Sequence, residues 1–161
     1  MKQKRVFVMC GVSGSGKSTW IKNRIAQYGG YHISRDAVRF EMVKDDEEYF
    51  AHENAVYNEF IRRIKEEIAV DGFSDIYVDA THLNGSSRNK LMKSLDGLNG
   101  CYVIYVWFDV PLEICKYRNA QREGRARVPD DVLEAQFKRF RKPTGGYNEL
   151  WVINMEGERI E

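Results

Sequence analysis

"GVSGSGKSTW", residues 11–20, gathers three glycines, a lysine and several hydroxyls within ten positions. It fits G-x-x-x-x-G-K-[ST] with Gly11, Gly16, Lys17 and Ser18 in register. What flanks such a stretch decides its reading. Upstream, "RVFVMC" (5–10) is short, apolar and rich in β-branched and aromatic residues, which predicts a buried strand. Downstream, Trp20, Ile21, Ile25 and Tyr28 recur at roughly helical spacing before the stop Gly29-Gly30, which predicts a helix over 18–28. A Gly/Ser linker would not be bracketed in this way. Strand, glycine loop and helix together predict a cradle for phosphate. The glycines let successive N–H groups turn inward, and the helix start adds its positive dipole end. Lys17 supplies a point charge for outer phosphates, and the Ser18 hydroxyl is placed to ligate magnesium.

The rest of the chain alternates. Strands are predicted at 31–34, 75–80, 101–110 and 147–154. Helices are predicted at 35–43, 46–72, 86–98, 111–123 and 130–140. In the long helix 46–72, Tyr49, Phe50, Val56, Phe60, Ile64 and Ile68 mark an apolar side and Gly72 ends it. Pro111 is placed in a first helical turn. Strands separated by helices imply an α/β fold, a parallel sheet with helices on both faces. Its 161 residues suit one domain over 1–161 that buries a real core.

At 43% hydrophobic and 30% charged, the chain has neither a disordered nor a membrane-spanning composition. A net charge of +1 argues against a strongly basic nucleic-acid binder, so any nucleic-acid contact must be local. Cys10, Cys101 and Cys115 are odd in number and lack metal-ligand spacing; with Cys10 and Cys101 expected in buried strands, they suggest a reducing, cytoplasmic setting. The apolar run near the N-terminus is too short for a signal peptide.

Ligands of parallel sheets bind beyond the strands' carboxyl ends. That rule selects four places. After the first strand lies Gly11–Ser18. After the second comes "SRDAVR", with Arg35, Asp36 and Arg39. Asp36 is either an N-cap or a carboxylate that accepts the proton of a hydroxyl attacking a γ-phosphate. Arg39, three residues on, is a surface cation or a holder of an anionic group on the acceptor. After the third strand, "VDATHLN" offers Asp79, a turn cap or a partner of magnesium or acceptor. It also offers Thr81, His82 and Asn84 as hydrogen-bonding groups, with His82 a polar contact rather than a base. The fourth place holds Arg118, Arg122, Arg125 and Arg127, more arginines than a helix end requires. Their planar forks suit phosphates, and a lid over ATP at about 118–128 is expected.

"GVSGSGKSTW", "SRDAVR", "DATHLN" and "FDVPLEICKYRNAQREGRARVPDDVL", in this order, resemble the kinase domain of the bacteriophage polynucleotide kinase family over about residues 5–140. The resemblance implies a P-loop kinase fold, ATP and Mg²⁺ as cofactors, and transfer of the γ-phosphate to the 5′-hydroxyl end of DNA or RNA, as in end repair. By motif it implies that Gly14, Ser15, Gly16, Lys17, Ser18 and Thr19 hold the nucleotide, with Ser18 on the metal. It makes Asp36 the general base, Arg39 the holder of the acceptor's 3′-phosphate, and Arg118 and Arg122 lid arginines, with Lys17 and Arg122 catalytic. Arg35, Asp79, Thr81 and Asn84 are the further acceptor candidates. Two positions depart from the family pattern: Ala80 replaces the aspartate before the threonine, with Asp79 one place earlier, and the arginine segment is one residue longer around Glu123. No D-x-D-G-[TV] phosphatase motif occurs, so a kinase-only version is expected. Two other functions fit the same loop: a small-molecule or nucleotide kinase with an enclosed acceptor pocket, and an ATP-binding module that transfers nothing.

Overall fold

The computed structural model describes residues 3–161. Five strands form one sheet: β1 (Arg5–Cys10), β2 (Tyr31–Ser34), β3 (Asp75–Asp79), β4 (Tyr102–Phe108) and β5 (Glu149–Ile153). Their order is β2-β3-β1-β4-β5 and every pairing is parallel. All carboxyl ends therefore meet along one edge. The apolar strand β1, buried from Val6 to Cys10, takes the centre, where both faces are covered.

The period-two alternation of strand side chains builds two cores. Val6, Val8, Ile76 and Val78 pack against α2 (Arg35–Met42), α3 (Glu53–Ala69) and α4 (Gly85–Ser94) through Val38, Phe60, Ile64 and Leu91. Phe7, Met9, Tyr77, Ile104 and Val106 pack on the other face against α1 (Lys17–Tyr28), α5 (Leu112–Ala120) and α6 (Asp130–Arg139) through Ile21, Cys115 and Leu133. The expected α/β architecture is thus present, with three helices on each face. Among the described residues no helix is long and apolar enough to cross a membrane.

Several expectations need correction. The helix expected over 46–72 is only Glu53–Ala69, with His52 as N-cap. Residues 45–52 form turns instead. Tyr49 and Phe50 fit the helical period of α3, yet their rings point to α2: Tyr49 meets Phe40 edge-on, and both rings lie near the Arg39 guanidinium. The Glu47 side chain also accepts the Lys44 N–H at 3.0 Å, a local bond that competes with helix. The helix expected at 86–98 breaks after Ser94 into a short 3-10 turn, Asp96–Leu98, in which Gly97 has φ +70°. Pro111 is the N-cap of α5 rather than a residue of its first turn, and α5 ends at Ala120. Cys10 is buried in β1, whereas Cys101 precedes β4 and is only half-buried.

Candidate active site

The loop between β1 and α1 has the backbone that its glycines permit. Gly14 and Gly16 lie at φ +81° and +98°, where a side chain is strained. A Cβ on Gly14 would come within 2.4 Å of the Cys115 carbonyl oxygen, so α5 packs directly on the loop. No side chain caps the first turn of α1, whose N-cap is Gly16. Its leading N–H groups therefore remain available to an anion. The Ser15 hydroxyl is buried and has no hydrogen-bond partner among the described residues. A cradle with an orphaned hydroxyl and open N–H donors fits a phosphate chain.

Lys17 is buried, with Nζ donating to the Val12 carbonyl at 2.9 Å. Burial pulls its pKa below the usual lysine value, opposed by the charges of Asp79 and Asp36. Ser18 Oγ donates to Asp79 Oδ2 at 2.7 Å, and His32 Nε2 lies 2.7 Å from the same oxygen. Burial works against the Asp79 carboxylate. The His32 contact, the Lys17 charge and the Ser18 hydroxyl outweigh it and hold its pKa below the ordinary range. Asp79 is thus paired to the phosphate loop and is no turn cap. A hydroxyl beside a carboxylate is a donor set for a hard divalent cation that also takes phosphate oxygens and water.

A second charged group faces this one across the cleft. The cap of α2 is Ser34, whose hydroxyl accepts the Ala37 N–H at 3.1 Å, so Asp36 is free of that duty. Its carboxylate is 60% exposed. Asp36 Oδ1 accepts from Arg39 Nη1 at 2.5 Å and from the Tyr49 hydroxyl at 3.2 Å. Its Oδ2 has no such partner among the described residues. Arg39 is buried, with Nε and Nη2 donating to the two oxygens of Glu53 at 2.9 and 3.1 Å. Arg35 Nη2 donates to Glu53 as well, at 3.0 Å. Arg39 is therefore no surface cation. Its fork holds Asp36 in place, and an acceptor phosphate would reach it only in exchange for Glu53.

These groups line a cleft of about 500 Å³ together with Thr81 and with Arg122, Arg125 and Arg127. Arg125 is docked across it: its guanidinium donates to the carbonyls of Val43 and Phe40, lies 3.1 Å from Asp45 and stacks over the Phe40 ring. Among the described residues the Arg122 side chain donates only to the Ala126 carbonyl, at 3.5 Å. Arg118 lies elsewhere. It flanks a smaller hollow of about 270 Å³ beside Ser15, Gly16 and Thr19, with Nη1 donating to the Ser15 carbonyl at 3.2 Å.

Two residues of the "VDATHLN" stretch are spent on structure. Asn84 caps α4 by accepting the Ser87 N–H at 3.1 Å, and it does not line the cleft. His82 is buried with Nδ1 donating to the Met9 carbonyl at 2.6 Å, and burial drives its pKa down to about 4. Conversely, His32 and Glu53 were not singled out by motif. Each acts through a neighbour, Asp79 or Arg39, whose adjacency needs the strand order or the α2–α3 packing.

A family model described as an AAA domain matches residues 6–143. A curated protein of Autographa californica nuclear polyhedrosis virus, described as a putative bifunctional polynucleotide kinase/RNA ligase, is 29% identical over 153 residues. The match takes in 86% of this chain but 21% of that protein, so the chain spans about a fifth of the relative's length. A fungal RNA kinase shares the fold at a TM-score of 0.69 and 15% identity, over 94% of this chain and 74% of its own. A sugar kinase from Janibacter sp. HTCC2649 does so at 0.63 and 21%, over 98% and 88%. The resemblance to polynucleotide kinases and the P-loop kinase-like fold are borne out.

Proposed function

We propose, from the premise that the chain belongs to the AAA domain family, that it transfers the γ-phosphoryl group of ATP to the 5′-hydroxyl end of DNA or RNA. One observation carries the reading: Asp36, clamped on one oxygen and open on the other, looks across a single cleft at the Lys17–Ser18–Asp79 cluster. The viral relative described as a polynucleotide kinase supports the choice of acceptor.

In this mechanism the loop from Gly14 to Thr19 and Lys17 hold the phosphates, and the hollow beside Arg118 takes the nucleoside end of ATP. Magnesium at Ser18 and Asp79 would neutralise charge on the phosphates. Asp36 Oδ2 accepts the proton of the attacking hydroxyl, while Arg39 and Tyr49 keep Oδ1 from turning toward it. Glu53 does not compete as a base, since both its oxygens accept from the Arg39 and Arg35 guanidiniums. Residues 118–128 act as the lid. Arg122, which lines the cleft and holds a lid position in the motif, meets the charge that develops on the transferred group. Arg35 and Thr81 line the acceptor side.

The test is transfer of labelled γ-phosphate from ATP, with magnesium, to a panel of 5′-hydroxyl DNA, 5′-hydroxyl RNA, 3′-nucleotides, nucleosides and sugars. Label is expected on the oligonucleotides. Asp36→Asn is expected to lower transfer by on the order of 10²-fold or more with ATP affinity kept, the usual scale of general-base catalysis. Label on sugars alone, or hydrolysis indifferent to any hydroxyl acceptor, overturns the reading. If ATP affinity falls as far as the rate, Asp36 is a metal or structural residue.

A further inference from the structure

The turns at 45–52 bring two aromatic side chains, Tyr49 and Phe50, to the cleft. Phe50 is 59% exposed although its ring lines the same cavity as Asp36. An edge-on contact with Tyr49, at 4.7 Å and 83°, and the Arg39 guanidinium, 5.4 Å from its centroid, position the ring. The other aromatic rings of this wall are already engaged. Tyr49 lies against Arg39 at 4.8 Å and Phe40 at 6.3 Å, and Tyr57 lies near two cations, Arg35 at 5.2 Å and Lys90 at 4.3 Å. A phenyl ring has no hydrogen bond to offer, so what it adds to an open polar cleft is a flat apolar face.

We infer that Phe50 is the stacking platform for the base of the acceptor's 5′-terminal nucleotide, a selectivity element for nucleoside-bearing acceptors over sugars; this rests on the polynucleotide kinase reading above. The 5′-oxygen is expected at Asp36 Oδ2, and the base is carried from it by one carbon and the sugar ring. Phe50 lies on that wall, joined to Asp36 through Tyr49 and Arg39. Stacking on a phenyl face is tolerant of base identity, because every base has a π-face. A sugar acid or free sugar has no flat ring to place there.

The experiment compares a 5′-hydroxyl oligonucleotide with the same oligonucleotide whose 5′-terminal nucleotide is abasic, using the full chain as wild type, Phe50→Ala and Phe50→Trp. Wild type is expected to prefer the base-bearing end by about tenfold in kcat/KM, the scale of one base–aromatic stack. Phe50→Ala should erase that preference, chiefly through KM for the base-bearing acceptor, with KM for ATP unmoved. Phe50→Trp should retain it. Two outcomes overturn the platform alone: a wild type that treats both oligonucleotides equally, or a Phe50→Ala variant that keeps the preference or loses activity equally on both. A wild type that phosphorylates neither oligonucleotide overturns the polynucleotide reading and this inference together.

Discussion

Lys17 and Gly14 show how much one position carries. The Lys17 ammonium is buried and at present satisfied by a loop carbonyl, so it is held ready at the bottom of the cradle. Lys17→Ala should abolish phosphoryl transfer and weaken ATP binding, read by the same labelling assay and by titration with a fluorescent ATP analogue; near-normal turnover in the folded variant would remove Lys17 from the chemistry. Gly14→Ala should act differently. At φ +81°, with a backbone carbonyl 2.4 Å from where the methyl would stand, it forces the loop and α5 apart. Strain of about 1–3 kcal/mol or more is expected. It should appear as a lower Tm together with weaker nucleotide binding, whereas an unchanged Tm would mean that the loop relaxes freely. The identity of these residues was legible from the motif. The separate duties of the two Asp36 oxygens were not, because they depend on Arg39 and Tyr49 arriving from different turns of the chain.

Among the elements, the segment after α5 makes the sharpest forecast, because its arginines divide their work. Arg125 ties the 3-10 turn Gly124–Ala126 to the end of α2, while Arg122 stays nearly unattached. Arg122→Ala should therefore lower the transfer rate by on the order of 10²-fold. Arg125→Ala should chiefly loosen the strap: deuterium uptake at 121–129 should rise about tenfold, the consequence of losing charge-assisted hydrogen bonds. A twofold or smaller rate loss in Arg122→Ala, with a large one in Arg125→Ala, would exchange the two assignments. Elements were legible where period and punctuation agree, as in the strand-loop-helix at 5–28. They were not where a tertiary contact captures residues of the right period. Tyr49 and Phe50 sit at helical spacing from Val56 and Phe60, but α2 draws them away. His32 and Glu53 stayed hidden for a related reason: the order β2-β3 and the α2–α3 packing bring each to its partner.

For the molecule as a whole, His82 couples the fold to acidity. Burial lowers its pKa to about 4 in the folded chain, against an ordinary value of 6.5. Between those values the unfolded chain binds a proton that the native one refuses, so stability falls as pH drops from about 6.5 toward 4. At pH 5 this one group should account for about 2 kcal/mol, at 1.36 kcal/mol per pKa unit. His82→Asn keeps a donor for the Met9 carbonyl and suits the positive φ of +41°. Urea midpoints at pH 7 and 5 should therefore converge in the variant relative to wild type; an equal acid loss in both would clear His82 of the effect. The sheet order has a consequence in time as well. The central strand is the first to be synthesised, yet its two neighbours begin at Asp75 and Tyr102. Closing such distant pairs is entropically slow, and the phosphate loop hangs from a strand that is not flanked on both sides until both are in place. Partly folded chains should thus be blind to nucleotide. ATP would then act as a selective trap for the finished sheet, adding to its stability by mass action without assisting any earlier stage of its assembly.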